Sequence, residues 1–199
     1  MKLLLSICLV LCIRVSVAQT DTIKVHFLYG SIPAKNFKGA EPKYFGGIKG
    51  GHVNIEARGM VLDFMPGKCP IFPDNKHPSG GFRLNHSVYW DTASSKWMTI
   101  LVPVSSQQMD RLLQLFASNT QQTPYDYAVL GVRCAAASYD VLSEIGLVKQ
   151  MSRRKNIAKN FYPKLMRKRI VKMARKRNYT IIRHEGRSSR KWEKDKGLF

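Results

Sequence analysis

The sequence predicts an α+β fold with a basic C-terminal helical extension, and three observations carry that prediction. Residues 50–64 alternate apolar and polar side chains around an Arg-Gly pair, which is typical of a β-hairpin. Residues 107–118 and 134–145 carry apolar side chains at helical spacing. Residues 153–199 hold 18 of the 33 Lys and Arg residues in a chain of net charge +20. A length of 199 residues suffices for one domain with a substantial core.

The N-terminal segment, residues 1–18, is predicted to be a signal peptide. Lys2 gives it a positive start, residues 3–13 form an apolar run, and Ser16-Val17-Ala18 fits a small-x-small cleavage site. The apolar run is too short for a comfortable transmembrane span. We therefore expect a protein that is exported and is periplasmic or secreted after cleavage.

Cleavage would leave two cysteines, Cys69 and Cys134. In an oxidising compartment these two could form a disulfide bond. A free thiol at Cys134 is favoured, because one bridge is not a disulfide framework and Cys69 lies in a proline-rich loop.

The strands are predicted from alternation. A first strand is expected over residues 22–29, the hairpin follows over residues 50–64 with its turn at Arg58-Gly59, and residues 82–90 and 97–104 give two more strands. Residues 30–51 contain too many glycines and prolines for regular structure and are expected to form a loop, either a lid or a plain surface loop.

The helices are predicted from capping residues and apolar stripes. Ser105-Ser106 is an N-cap signal for a helix over residues 107–118, and a second helix begins at Cys134 and is capped by Gly146. Pro163 suits the first position of a third helix, whose apolar stripe includes Leu165, Ile170 and Met173. Residues 180–182 are expected to form a final strand. Residues 19–150 are thus assigned to a core domain and 151–199 to a basic helical extension and tail that packs on it.

A cysteine, a histidine and a carboxylate stand at positions that suit thiol catalysis. Cys134 lies where a loop gives way to a helix, and the free N–H groups and dipole of a helix N-terminus favour a thiolate. His52 begins the hairpin strand and could act as the base. Asp63 in the return strand could orient the imidazole, with Glu56 as the less favoured alternative. Read alone, each of these residues would more often be a simple core or cross-strand residue.

These residues carry a resemblance to a family. The stretch GGHVNIEARGMVLDF at residues 50–64 resembles the histidine strand and the following strand of NlpC-like papain-fold cysteine amidases. The order here, with His52 before Cys134, is similar to the circularly permuted branch, the YaeF/YiiX-type and lecithin:retinol acyltransferase-like proteins. Tyr125 and Tyr127 resemble the tyrosine-containing approach to the cysteine in that group. Arg133 departs from the Asn or Asp common before the cysteine, and the basic region after residue 147 has no counterpart.

The resemblance implies a small antiparallel sheet or partial barrel packed by helices, a permuted papain-like fold. It implies Cys134 as nucleophile, His52 as base and Asp63 as orienting group in acyl-thioester chemistry on an amide or ester, with a peptide or lipid-linked substrate. Tyr125, Tyr127 and Arg133 are then expected to contribute to binding. No cofactor is expected, and no metal, because the histidines are scattered and lack ligand spacing.

The alternative is a catalytically inactive papain-fold module that binds an anionic surface. The predicted third helix presents basic side chains that could contact an anionic membrane or wall surface. Nucleic acid is an unlikely partner, because export removes it from the usual compartment. The basic residues predicted to make the surface contact are Lys168, Lys172, Arg175 and Lys176.

Overall fold

The chain forms an α+β fold built on one antiparallel sheet of six strands, in the order β4-β3-β2-β1-β5-β6. The computed structural model describes residues 20–29, 51–68, 70–88 and 96–184. The sheet is open, with β4 and β6 at its edges among these residues. The strands are β1 Thr20–Tyr29, β2 Gly51–Ala57, β3 Met60–Met65, β4 Gly81–Asn85, β5 Trp97–Ser105 and β6 Ile181–His184. The helices are α1 Ser106–Gln121, α2 Cys134–Glu144, α3 Arg153–Lys159 and α4 Pro163–Lys176.

The predicted hairpin is confirmed and is closed by a two-residue turn. Arg58 and Gly59 have φ values of 47° and 75°. Positive φ at both central positions defines a type I′ turn, whose twist matches that of the flanking strands. Ala57 pairs with Met60 across the turn, which sets the register of the whole hairpin.

The register divides the sheet into two faces with different chemistry. Val25 pairs with Ile55 on one side and Ile100 on the other, and this face packs on the helices as the main core. The opposite face carries His26 and Leu28 from the central strand β1, with Asn54 and His52 paired to them. Polar side chains of that second face are buried nonetheless, because a separate apolar cluster that includes Leu28 and Trp97 lies among them.

The sequence signals at the helix ends are confirmed. Ser105 caps α1, accepting a hydrogen bond from the backbone N–H of Gln108 while the Gln108 side chain bonds back to Ser105. Pro163 is the first residue of α4. Gly146 has a φ of 72°, the left-handed conformation that ends a helix just beyond its C-cap, and follows α2 as predicted.

The basic region contributes to the same core and the same sheet. Helix α4 buries Met166, Ile170 and Ala174 in the main core, and β6 pairs with β5. The predicted apolar stripe also contains Met166 and Ala174; of its members Leu165 is 37% exposed, so the face of α4 that packs is centred on Met166 and Ile170. Helix α3 was not predicted. Its only buried residue, Asn156, bonds to the carbonyl of Ala136 in α2, so a tertiary contact rather than an apolar stripe positions it.

Strand β4 is shorter than the predicted 82–90. Its ladder with β3 ends at the pair Val61–Asn85, next to the hairpin turn, where only Met60 of β3 remains. The predicted signal peptide, residues 30–50 of the predicted loop and Cys69 lie outside the described residues, and Gly51, predicted as the end of that loop, is the first residue of β2. Within the described ranges no helix has the length and apolar character needed to cross a bilayer.

Candidate active site

Cys134 is the first residue of α2, as the sequence predicts. Arg133 is the N-cap, and its side chain makes no capping hydrogen bond. It therefore does not occupy the first backbone N–H groups of the helix. The Cys134 thiol is free, not in a disulfide, and the residue is 3% exposed. Small neighbours, Ala135 and Ala137, let α2 pack closely on the sheet, and the Ser138 hydroxyl donates to the Val53 carbonyl of β2.

His52 and Asp63 meet on adjacent strands. The ladder between β2 and β3 begins at the pair Asn54–Asp63, so His52 lies diagonally across from Asp63 at the start of β2. The Nε2 atom of His52 is hydrogen-bonded to Oδ1 of Asp63. His52 is 1% exposed and Asp63 is 2% exposed. A bond removed from water in this way fixes the orientation of the ring.

The other side of the His52 ring meets Cys134. A side-chain hydrogen bond joins His52 to Cys134, and because Nε2 faces Asp63, the nitrogen on the thiol side is Nδ1. Burial alone would lower the pKa of His52, but the charges of Asp63 and Cys134 and the hydrogen bonds to both raise it to about 10. The imidazole is therefore held in its protonated form at neutral pH, between two acidic groups.

Glu56, the alternative orienting group, is engaged elsewhere. Its carboxylate bonds to Nζ of Lys24 at 2.6 Å and to Nε2 of His26 at 2.9 Å. The His26 Nδ1 atom lies 2.9 Å from the Thr99 hydroxyl. Burial lowers the pKa of His26, and the charge of Lys24 adds to that effect, although Glu56 opposes it. Asp63 is thus the carboxylate bonded to His52, and Glu56 belongs to a second network.

The two tyrosines predicted to bind substrate are core residues. Tyr125 and Tyr127 are each 5% exposed, and both rings pack on Phe64, at centroid distances of 5.4 Å. Both rings are thus enclosed by the core, and the substrate-binding role of Tyr127 stays a prediction. The Tyr125 ring also borders a small cleft beside Asp140 of α2, which is separate from the Cys134–His52 contact.

Arg133 lies against aromatic rings rather than in open solvent. Its guanidinium carbon is 4.8 Å from the centroid of Phe161 and 5.6 Å from that of Tyr162. These distances are typical of cation–π contacts. Since Tyr162 immediately precedes α4, this contact joins the residue before the cysteine to the start of the basic helix.

Asp126 is a structural residue that the sequence reasoning missed. It is fully buried, and its carboxylate accepts hydrogen bonds from the backbone N–H groups of Ser79 at 2.9 Å and Gly80 at 3.0 Å. Burial would raise its pKa, but these backbone bonds lower it. Gly80 is required there, because a Cβ atom would lie 2.6 Å from Cβ of Tyr127. Asp126 thereby ties the loop of residues 66–80 to the loop that leads into Cys134.

A cavity borders the Asp63 side of the site. It has a volume of about 380 Å³ and is lined by polar side chains, Arg83 and Asn85 of β4 and the following His86 and Ser87, together with Met65. Arg83 is the cross-strand partner of Asp63. The four basic residues predicted to contact an anionic surface, Lys168, Lys172, Arg175 and Lys176, are all exposed on α4.

Comparison with known proteins adds no relative. No family model matches the chain, and neither a curated protein nor a solved structure matches it. Over the described ranges, no group of three or more His, Cys, Asp or Glu side chains is arranged to hold a metal ion.

Proposed function

We propose that the protein is a cysteine hydrolase or acyltransferase of the permuted NlpC-like papain fold that acts on an amide or ester bond. One observation carries the proposal: a buried imidazole bonded to Asp63 through Nε2 and to the Cys134 thiol on its other side. The order of a histidine strand before a cysteine helix, on an antiparallel sheet, supports the permuted fold. The predicted export and the peptide or lipid-linked substrate remain part of this proposal.

The first chemical step forms an acyl-thioester. Sγ of Cys134, having given its proton to Nδ1 of His52, attacks the substrate carbonyl carbon. The negative charge that develops on the carbonyl oxygen is stabilised by the Cys134 backbone N–H at the start of α2. The carbon–nitrogen or carbon–oxygen bond then breaks, and the proton on His52 goes to the departing amine or alcohol. Asp63 holds the imidazole in place and stabilises its charged form throughout.

The second step returns the enzyme to its starting state. A water molecule or an acceptor alcohol or amine attacks the thioester carbonyl while His52 removes its proton. The bond between Sγ and the acyl carbon breaks, which releases an acid or a transferred acyl product. Hydrolysis and transfer differ only in this acceptor, and the polar cavity beside Asp63, of about 380 Å³, could hold the polar part of either partner.

An acyl-enzyme adduct tests the proposal directly. The protein is mixed with an activated ester such as p-nitrophenyl decanoate, and the intact mass is recorded over time. We expect one acyl group on Cys134 that neutral hydroxylamine removes, as a thioester requires. Cys134→Ser and His52→Gln should not accumulate it, whereas the matched control His26→Gln should. Absence of an adduct on Cys134 in the wild-type protein would contradict the proposal.

An inactive module that binds an anionic surface is the second candidate. The observation that favours it is the exposure of Lys168, Lys172, Arg175 and Lys176 on α4 in a chain of net charge +20. Replacing these four residues with Gln should weaken salt-sensitive sedimentation with anionic vesicles and leave Cys134 labelling intact. If the adduct fails to form while this binding persists, the second candidate replaces the first.

A further inference from the structure

An apolar tip formed by two loops stands out from the charged surface. Ile71 is 62% exposed and Phe72 is 68% exposed in the loop of residues 66–80, and Val129 and Leu130 are 40% and 55% exposed in the loop before α2. We call these four residues the two-loop tip. Single exposed apolar residues are common, but four large ones in contiguous segments mark an interaction site.

The two loops are joined by their backbones, so the tip is one surface. The Val129 N–H donates to the Pro70 carbonyl at 2.9 Å, and the Leu130 N–H donates to the Ile71 carbonyl at 2.8 Å. Asp126 anchors both loops from beneath through its bonds to Ser79 and Gly80. The apolar side chains are therefore presented on a bonded base, and little ordering is needed for them to bind.

Basic residues lie in and beside the two-loop tip. Lys68 and Lys76 are exposed in the first loop, with the exposed Asp74 between them, and Arg133 follows the second loop. Arg133 contacts Tyr162, which immediately precedes α4 and its exposed Lys168. An apolar protrusion with Lys and Arg beside it matches a membrane interface, where apolar groups enter the acyl region and cations meet anionic headgroups.

The two-loop tip is also close to the candidate nucleophile. Leu130 precedes Cys134 by four residues, so their Cα atoms are at most about 14 Å apart. Apolar faces that dock on a bilayer reach roughly 5–10 Å into the boundary between headgroups and acyl chains. Docking through this tip would hold the thiol within reach of that boundary, where the ester groups of lipids lie.

We infer that the two-loop tip docks on an anionic lipid bilayer and presents Cys134 to acyl groups at its surface. The docking itself does not depend on catalysis, whereas the choice of lipid ester as substrate rests on the proposed thiol chemistry. Docking through the tip differs from the attraction exerted by the basic residues near the end of α4. The tip inserts apolar side chains into the bilayer, whereas the helix only attracts anionic headgroups.

Vesicle binding of the intact protein tests the docking. Vesicles of phosphatidylcholine with phosphatidylglycerol are compared with phosphatidylcholine alone. The double substitution Ile71→Ser with Phe72→Ser should reduce affinity for the anionic vesicles about tenfold to a hundredfold. The control Ile182→Thr replaces an apolar residue that is 40% exposed on strand β6, away from the tip, and should not change the affinity. All variants keep the same N-terminus, so a leader would contribute equally to each.

Insertion is measured separately from attraction. The tryptophan fluorescence gained in the Phe72→Trp variant should be quenched by brominated lipids in anionic vesicles, and that gained in the Ile182→Trp variant should not. Unchanged affinity of the double variant, or no quenching of Phe72→Trp, would overturn the docking. Self-association that the double variant abolishes would also overturn it and assign the tip to a second copy of the chain.

Iodoacetamide labelling of Cys134 should be unaffected by the double substitution. Failure of the thiol chemistry is therefore seen in labelling, and failure of docking only in the vesicle measurements.

Discussion

Two buried histidines on one face of the sheet respond to similar surroundings in opposite ways. His52 is 1% exposed and His26 is 2% exposed, and each has a carboxylate at Nε2. Burial pushes the pKa of both downward, yet that of His52 is raised to about 10 while that of His26 stays lowered. Burial and one carboxylate therefore do not determine the charge of an imidazole.

The remaining partners explain the difference. His52 has a second acidic neighbour, Cys134, whose ionised form favours the imidazolium. The Glu56 carboxylate beside His26 is shared with Lys24, and the other ring nitrogen of His26 meets the neutral Thr99 hydroxyl. The sum of charges around the ring decides whether desolvation is overcome. The His52 network thus holds a charged ring, and the His26 network holds a neutral one.

The largest expected effect separates the two histidines by the reactivity of Cys134. At pH 6 an ordinary thiol is well under ~1% ionised, because its pKa is about 8.5. Loss of the imidazolium in His52→Gln should slow iodoacetamide alkylation of Cys134 at pH 6 by about a hundredfold. His26→Gln should change the rate less than about twofold. Comparable slowing in both variants, with circular dichroism showing both folded, would remove the functional distinction between the two networks.

Substitution of the two carboxylates should slow alkylation of Cys134 in the same order as substitution of their histidine partners, with a smaller effect. Asp63→Asn preserves the shape of the side chain but removes the charge that holds His52 protonated, so alkylation at pH 6 should slow at least about tenfold. Glu56→Gln is the matched control, since Glu56 contacts Lys24 and His26 instead. A larger loss in Glu56→Gln would reassign the orienting role to that residue.

The contributions of His52 and His26 to the free energy of unfolding should depend on pH in opposite ways. In the wild-type protein the stabilisation from His52 should be fully present below about pH 6.5. It should be lost as pH rises through the raised folded-state pKa of about 10. The stabilisation from a neutral His26 should be present above about pH 6.5 and lost as pH falls through its lowered pKa.

Urea unfolding measures both dependences. The free energy of unfolding is determined across pH for the wild-type protein and for the His52→Gln and His26→Gln variants. The difference attributed to His52 should shrink toward high pH, and that attributed to His26 toward low pH. Slopes of the same sign for both would show that the charge states of the two rings are alike.

The smallest effect concerns Lys24 alone. Lys24 is about half exposed, and its charge contributes to lowering the pKa of His26. Lys24→Gln should therefore raise the pKa of His26 in an NMR titration and leave the His52 resonances unchanged. A downward shift of His26 would mean that Lys24 acts mainly by positioning Glu56 rather than through its charge.

The sequence by itself determined most of the elements, though not α3, and supplied the residues of the candidate triad. Local signals sufficed where the physics is local: the Arg58-Gly59 turn, the Ser105 cap, the start of α2 at Cys134 and the glycine that ends it. Alternation also gave the strand positions of His52 and Asp63. Turns and caps involve residues within a few positions of each other, so their chemistry can be read from a short stretch.

Only the tertiary structure decided which groups meet. The sequence favours Asp63 over Glu56 as the partner of His52 but leaves Glu56 as an alternative. The register of β2 with β1 and β3 brings Glu56 to His26 and Asp63 to His52. The burial of Tyr127 and the role of Asp126 likewise depend on contacts with residues more than 40 positions away in the chain. Strand pairing and long-range packing have no local signature, because the side chains involved are brought together only when the whole sheet forms.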